Sequence, residues 1–290
     1  MNKMIVNFKN SIIAVMLCSI ACLCNSVNAQ LPDGSIGNTQ YIQLLNDNLA
    51  EETAKPFDPS MAGLSVTIPI YVFVTNNARG EAAIEESVIT SAIVDVNPYF
   101  EPIGINFELK EIKYIPEYPY GVQPDFDGDI EVKVKYEIES VLNLFLVDTI
   151  LVDGATAYYG FTFFPVDTTN NSIFLDKDFV TSKNLATQIG HFLGLLSTYD
   201  IVAGIELVDS SNCSGAGDMI CDTWADPGIL GMVNGDCEYT GWTKDPNADW
   251  YVPSVANFMT DGPDYCKCIF TNEQYRRMHY YYRNYRSYLR

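Results

Sequence analysis

Histidine is scarce: the 290 residues contain two, His191 and His279. A metal site built on three imidazoles cannot be assembled from this chain alone. Basic residues are also few, 17 Lys and Arg against 37 Asp and Glu, for a net charge of −20. That balance excludes a nucleic-acid partner, whose phosphates need clustered Lys and Arg, and it excludes a polybasic membrane anchor. After residue 24 no apolar run approaches the eighteen residues of a spanning helix, so no membrane insertion is expected of the chain that follows. No Gly-x-Ser-x-Gly nucleophile elbow and no glycine-rich phosphate loop is present. No cysteine lies between Ala29 and Cys213.

What remains has a globular composition, 48% hydrophobic and 19% charged. Residues 1–29 carry Lys3 and Lys9, an apolar run from Ser11 to Cys24 and small residues before Gln30. This is the plan of a secretory signal, and it predicts a secreted protein, extracellular or periplasmic. Residues 30–63 are polar and read as an N-terminal extension with little core of its own, and residues 64–290 read as the main domain. Export makes two disulfides plausible among Cys213, Cys221, Cys237, Cys266 and Cys268, with one thiol left over.

The pattern predicts strands at Leu64–Thr75, Ile105–Ile115, Val141–Val152 and Ser172–Asp176. Helices are predicted at Ala82–Phe100, where Pro98 is a kink or early stop, and at Lys183–Leu196. Ile130–Ser140 is ambiguous, and Pro116–Gly128 reads as loop. Asp200–Thr271 has low periodicity, and Phe270–Arg290 reads as a terminal helix with Tyr280, Tyr281, Tyr282, Tyr285 and Tyr288 along it. The order describes an α/β sandwich with a mixed sheet. Asp209, Asp218, Asp222, Thr223 and Asp226 gather hard oxygens in one acidic loop, which suits calcium or simple solvation.

On the helix at 183–196, Thr187 and His191 share one side at i and i+4, and Gln188 lies beside it. The run Thr187-Gln188-Ile189-Gly190-His191-Phe192-Leu193-Gly194-Leu195-Leu196-Ser197 resembles the zinc motif H-E-x-x-H-x-x-G-x-x-H of metzincin peptidases. Gly217-Asp218-Met219-Ile220-Cys221-Asp222-Thr223-Trp224-Ala225-Asp226 is similar to the loop G-D-x-x-x-D-T-P-A-D of the pappalysin-like branch. Asn257-Phe258-Met259 resembles the Met-turn, and Cys266, Phe270-Thr271, Gln274 and Arg277-Met278 match the stretch after it.

The resemblance implies a metzincin-like fold: a mixed twisted sheet with two main helices above a loop-rich, disulfide-stapled lower part that ends in a C-terminal helix. It implies a structural calcium near Asp218 and Asp222. It pairs Cys213 with Cys237 and Cys221 with Cys266, leaving Cys268 as the odd thiol, with Cys266 and Cys268 exchangeable. It places an extended peptide along an edge strand above the motif helix, here Ser172, Ile173, Phe174, Leu175 and Asp176. Four positions that bear on the chemistry depart from the pattern. Thr187 and Ser197 stand where zinc-binding imidazoles belong, Gln188 where the general base belongs, and Asp261 where the family often has an oxyanion-supporting Tyr. His191 is then a vestigial ligand, and zinc is expected to be absent. The reading is a secreted pseudopeptidase that binds a peptide or protein without cleaving it. The alternatives are an active zinc endopeptidase using His191 with Asp200 or Asp261, and a structural module that assembles through the aromatic terminal helix.

Overall fold

The computed structural model describes residues 39–54, 63–116, 122–123, 131–152, 156–166 and 170–290. The secretory signal expected at 1–29 lies outside them, as does most of the loop expected at 116–128.

Five strands form the main sheet in the order β2-β1-β4-β8-β7. β1 (Val66–Thr75), β2 (Ile105–Ile115), β4 (Leu142–Val147) and β8 (Ser172–Asp176) run parallel, and β7 (Gly160–Thr162) is antiparallel to β8. Every residue of β4 and β8 is buried, as expected of parallel strands covered on both faces. On one face Ile68, Ile70, Val72 and Val74 of β1 join Leu144, Ile173 and Leu175 against two helices, α2 (Glu86–Phe100) and α4 (Ser182–Phe192). On the other face four phenylalanines in register cross the sheet. Phe73 stacks on Phe145 at 4.9 Å, Phe145 on Phe174 at 4.8 Å, and Phe174 on Phe161 at 4.7 Å. Such pairs contribute about 0.5–1.5 kcal/mol each beyond their buried area. The ladder anchors the three-residue β7, which would be too short to hold its register alone.

Three predicted boundaries move. The expected strand Val141–Val152 breaks at Asp148, whose carboxylate accepts a bond from Lys177 Nζ at 2.7 Å, into β4 and β5 (Thr149–Val152). β5 belongs to a second sheet with β3 (Val122–Gln123) and β6 (Thr156–Tyr158). The ambiguous stretch at 130–140 contains α3 (Glu131–Tyr136), whose Val132 joins the phenylalanine face. Pro98 lies within α2, two residues from its end. The neighbouring Asn97 side chain bonds both the N–H (2.7 Å) and the carbonyl (3.1 Å) of Phe107 and locks helix to sheet.

The edge assignment is also corrected. Ser172, Ile173, Phe174, Leu175 and Asp176 form an internal strand between β4 and β7, and the outermost described strand on that side is β7. Three residues are too few to show an alternating pattern in sequence.

The lower part, Asp200–Thr271, has turns and isolated bridges in place of regular elements. It leads into α5 (Asn272–Tyr281), started by a capping box between Thr271 and Gln274, and then one π-helical turn at Tyr282–Arg286. The polar extension is not merely appended. It contains α1 (Thr39–Glu52), whose Tyr41 and Leu45 are buried one helical turn apart. Tyr41 stacks on Phe164 at 4.5 Å and meets Tyr281 edge-on.

Candidate functional site

α4 starts at the Thr181 N-cap, whose hydroxyl accepts from the Asn184 N–H at 3.0 Å. From Asn184 to Phe192 every residue is buried, so the helix is covered all round rather than open on one side. Thr187, Gln188, His191 and Ser197 are each no more than 1% exposed. Helix and edge strand approach so closely that a Cβ on Gly160 would lie 3.2 Å from Gln188 Cδ and 2.9 Å from the Phe174 carbonyl. After Phe192 the chain reverses at Gly194, with φ +98°. A Cβ there would strike the Tyr41 hydroxyl at 2.7 Å and the Tyr281 ring at 2.9 Å, so both backbone and space require glycine. Tyr41 donates its hydroxyl proton to the Gly194 carbonyl at 2.6 Å, which brings the N-terminal helix onto the motif turn.

Each motif position has a partner of its own or a defined environment. Thr187 Oγ1 donates to the Phe258 carbonyl at 2.7 Å, and the Lys267 ammonium lies 3.4 Å from the same oxygen. His191 Nδ1 is 2.7 Å from the Leu195 carbonyl. A carbonyl only accepts, so Nδ1 carries the proton. The ring meets Phe164 edge-on at 5.7 Å. Ser197 Oγ is buried with no hydrogen-bond partner among the described residues. The second histidine, His279, lies far along the chain in the last turn of α5.

The segment expected as a Met-turn packs against the helix. A Cβ on Gly190 would lie 2.7 Å from the Met259 sulfur, so the methionine sits directly beneath the helix. Asn257 and Gln274 exchange two amide bonds, at 3.0 and 3.1 Å, and Asn257 Oδ1 also accepts from the Met259 N–H. Asp226 joins three segments: its Oδ2 accepts from Thr198 (2.7 Å) and Thr260 (2.8 Å), and its Oδ1 from the Gly228 N–H. Burial pushes the Asp226 carboxyl up to about 6.

Zinc does not fit these residues. Two hydroxyls replace two imidazoles, one hydroxyl already donates to a carbonyl, and an ammonium lies beside it. The substitute ligands are engaged elsewhere. Asp200 Oδ1 accepts from the Val202 N–H at 2.8 Å, and Asp261 Oδ1 from the Ile229 N–H at 2.6 Å. Burial raises the Asp261 carboxyl, while the Ile229 bond and Lys267 pull it back. Among the described residues no three His, Cys, Asp or Glu side chains converge to hold a metal ion, so His191, Asp200 and Asp261 do not form a ligand set.

The acidic loop buries the Asp218 and Glu206 carboxylates. Asp218 Oδ1 accepts from Thr223 Oγ1 and the Ile220 N–H, both at 3.0 Å, while its Oδ2 is buried without a partner. Both oxygens of Glu206 are likewise buried and unpartnered, and Glu206 Oε2 packs 2.5 Å from where a Cβ on Gly217 would be. Burial, then the charges of Asp218 and Asp226, push Glu206 up to about 8; burial raises Asp218 to about 7 against the pull of Arg277. Two buried carboxylates with unpartnered oxygens, beside the Thr223 hydroxyl, are hard-oxygen donors of the kind a dication such as calcium prefers. Asp222 Oδ2 accepts from the Glu273 N–H in the first turn of α5 at 2.9 Å. Asp209 is exposed and bonds its own turn through the Ser211 N–H.

The disulfides differ from the expected pairing. Cys213 bonds Cys221 and Cys237 bonds Cys266, with Cα separations of 5.0 and 5.6 Å that fit the bond. The tight turns at 210–219 fold Cys213 back on Cys221, a closure that spacing alone does not reveal. Cys268 takes no part in either of these two bonds. The terminal tyrosines are drawn inward. Tyr281 and Tyr282 are buried, and Asn48 of α1 donates to the Tyr285 hydroxyl at 2.8 Å, so this stripe packs on the domain's own core. Sequence reading missed Glu206, Lys267 and Glu52. Glu206 is the one acid in the run Ala203–Val208, and that isolation was the available signal.

No family model matches the sequence. The chain is 26% identical over 271 residues to an extracellular metalloprotease of Neurospora crassa, covering 86% of each chain. It is 25% identical over 271 residues to an extracellular metalloprotease of Colletotrichum graminicola, covering 84% of this chain and 86% of the other. Its fold is similar to that of mature mirolysin of Tannerella forsythia in complex with a cleaved peptide, with a TM-score of 0.53 at 18% identity, over 78% of this chain and 98% of mirolysin. The mixed α/β fold is therefore one shared with a metallopeptidase, and the sequence relatives are extracellular metalloproteases.

Proposed function

We propose that this chain is an extracellular, pappalysin-like pseudopeptidase: a metzincin scaffold that binds an extended peptide or protein segment and does not hydrolyse it. The observation that carries the reading is Thr187. The first ligand position holds a buried hydroxyl that donates to the Phe258 carbonyl, in a helix covered on every side. Gln188 has the outline of a general base and no basic oxygen at neutral pH, and Ser197 is a poor replacement for a third imidazole. The extracellular placement rests on the named relatives and the signal-like leader. Among the described residues no helix is long and apolar enough to cross a membrane.

Peptide recognition needs only backbone groups at a sheet edge, so it can persist without a metal. That edge is β7, held in register by Phe161 on Phe174 and by Thr162 Oγ1 donating to the Ser172 carbonyl at 2.9 Å. Its three residues offer few backbone bonds, so added side-chain contacts must supply most of the affinity. A structural calcium held by Glu206 and Asp218 near Thr223 belongs to the same reading. The active-endopeptidase reading draws on the relatives' names alone.

The test is metal content and casein turnover of the purified chain, measured together. Less than a tenth of an equivalent of zinc, on the order expected without a three-ligand site, and no chelator-sensitive cleavage are expected. Stoichiometric zinc with cleavage abolished by a chelator would overturn the proposal.

A further inference from the structure

Lysine is almost never fully buried unless something inside the fold needs its charge. Lys267 is 1% exposed, and its ammonium reaches the Thr187 hydroxyl at 3.4 Å. The backbone is pinned on both sides: Cys266 is bonded to Cys237, the Lys267 N–H donates to Asp264, and the Cys268 N–H donates to Ala256. The side chain thus enters the interior from a fixed point just past the Met-turn. Its ammonium lies 5.7 Å from the ring centre of Tyr159, the residue before β7, within range of a cation–π contact. The Thr187 proton goes to the Phe258 carbonyl, which leaves a lone pair on the hydroxyl for the ammonium. Asp261, another altered motif position, supplies negative charge nearby, and Lys267 acts on it electrostatically.

We infer that the Lys267 ammonium is the resident cation of the degenerate metal centre, a covalently tethered charge that occupies the space beside the first ligand position and keeps a divalent ion out. The inference rests on the pseudopeptidase reading and deepens it. Loss of the metal then has two separate causes. One is the missing imidazoles. The other is a positive charge that would sit a few ångströms from any dication and repel it, in an interior where water screens poorly. Threonine at 187 is part of the same arrangement, because its short side chain leaves the room that the lysine tip fills and its hydroxyl accepts the ammonium proton. An imidazole at 187 would meet the lysine tip sterically, and in its protonated form by charge as well.

The experiment restores the ligands with and without the lysine. One variant carries Thr187→His, Gln188→Glu and Ser197→His; the second adds Lys267→Met. Zinc affinity is measured by competition with a chelating dye, and metal-free thermal unfolding confirms that both fold. The lysine-containing variant should bind zinc about 100-fold or more weaker than the variant without it, as like-charge repulsion in a buried site predicts. Equal affinities would overturn the inference. A second measurement needs no variant: in the unaltered chain an amine-reactive label should modify Lys267 about 100-fold more slowly than the exposed Lys110, because the reaction waits for local opening. Equal labelling rates would also overturn it. Failure of the pseudopeptidase reading looks different, since it appears as zinc and turnover in the unaltered chain.

Discussion

Replacing Glu52 with Gln removes one charge and little volume, at a point where the N-terminal helix is joined to the rest of the domain. The Glu52 side chain is fully buried, and its Oε1 accepts from Arg277 Nε at 3.1 Å, with Arg276 4.0 Å away. Arg277 also donates through its two terminal nitrogens to the carbonyls of Asp218 (2.6 Å) and Met219 (2.7 Å). Burial works against the guanidinium charge, and Glu52 is foremost among the groups that nevertheless hold Arg277 above its ordinary value. Breaking one side of a buried pair costs about 3–5 kcal/mol. The lower figure applies here, because Arg277 keeps both carbonyls and has Asp218 beside it. A loss of about 3 kcal/mol corresponds to a fall in Tm of about 6–12 °C for a domain of this length. Differential scanning calorimetry reads the shift, and urea unfolding with an unchanged slope confirms that the folded state is lost in one step. Glu51→Gln is the control. Its carboxylate is exposed and accepts from the Tyr280 hydroxyl at the surface, so it should move Tm far less. A Glu52→Gln shift no larger than the control's would refute the view that residues 39–54 are integral to the domain.

Chelation with EGTA at pH 7.5 should lower Tm by several degrees, and Asp218→Asn should remove most of that sensitivity; an unaltered Tm on chelation would refute a calcium at Glu206 and Asp218. Burial raises Asp176, at the end of β8, to about 6, so folding takes up a proton there and stability rises as pH falls through about 6, levelling off near pH 4. Asp176→Asn should flatten that part of the urea-midpoint profile and stabilise the chain at pH 8 by up to about 3 kcal/mol, whereas an identical profile would refute the assignment.

Elements with long, strong periodicity were legible in the sequence: β1, β2, α2, α4 and the start of α5 fall close to their predicted positions. The reversal at Gly194 was legible too, because a glycine closing the helical pattern reports a turn of the backbone. What escaped was short or depended on distant partners. β7 has three residues, and its place is set by a phenylalanine ladder drawn from four strands. α1 shows two apolar anchors in a polar stretch, and their meaning appears only once Phe164, Gly194 and Tyr281 surround them. The disulfides depend on turns that spacing does not encode. Lys267 lies between two cysteines in sequence and reads as a surface charge, although the fold buries it.

The altered and retained motif residues separate along a physical line. The retained residues each hold the chain together without a metal. Gly194 permits a reversal that no other residue fits, and Met259 fills the space beneath Gly190. Asp226 binds Thr198, Thr260 and the Gly228 backbone, and Asn257 is locked to Gln274. His191 belongs with them, since its Nδ1–H ties the end of α4 to the Leu195 carbonyl beside the backbone bond from the Leu195 N–H to Gly190. Of the altered residues, Thr187, Gln188 and Ser197 are those whose side chains the motif would aim at an ion or its water, and Asp261 stands where the resemblance places a Tyr. On the reading proposed above, an ammonium beside one of these positions and hydroxyls at two of them leave a fold whose core is held by the retained residues and does not depend on a metal.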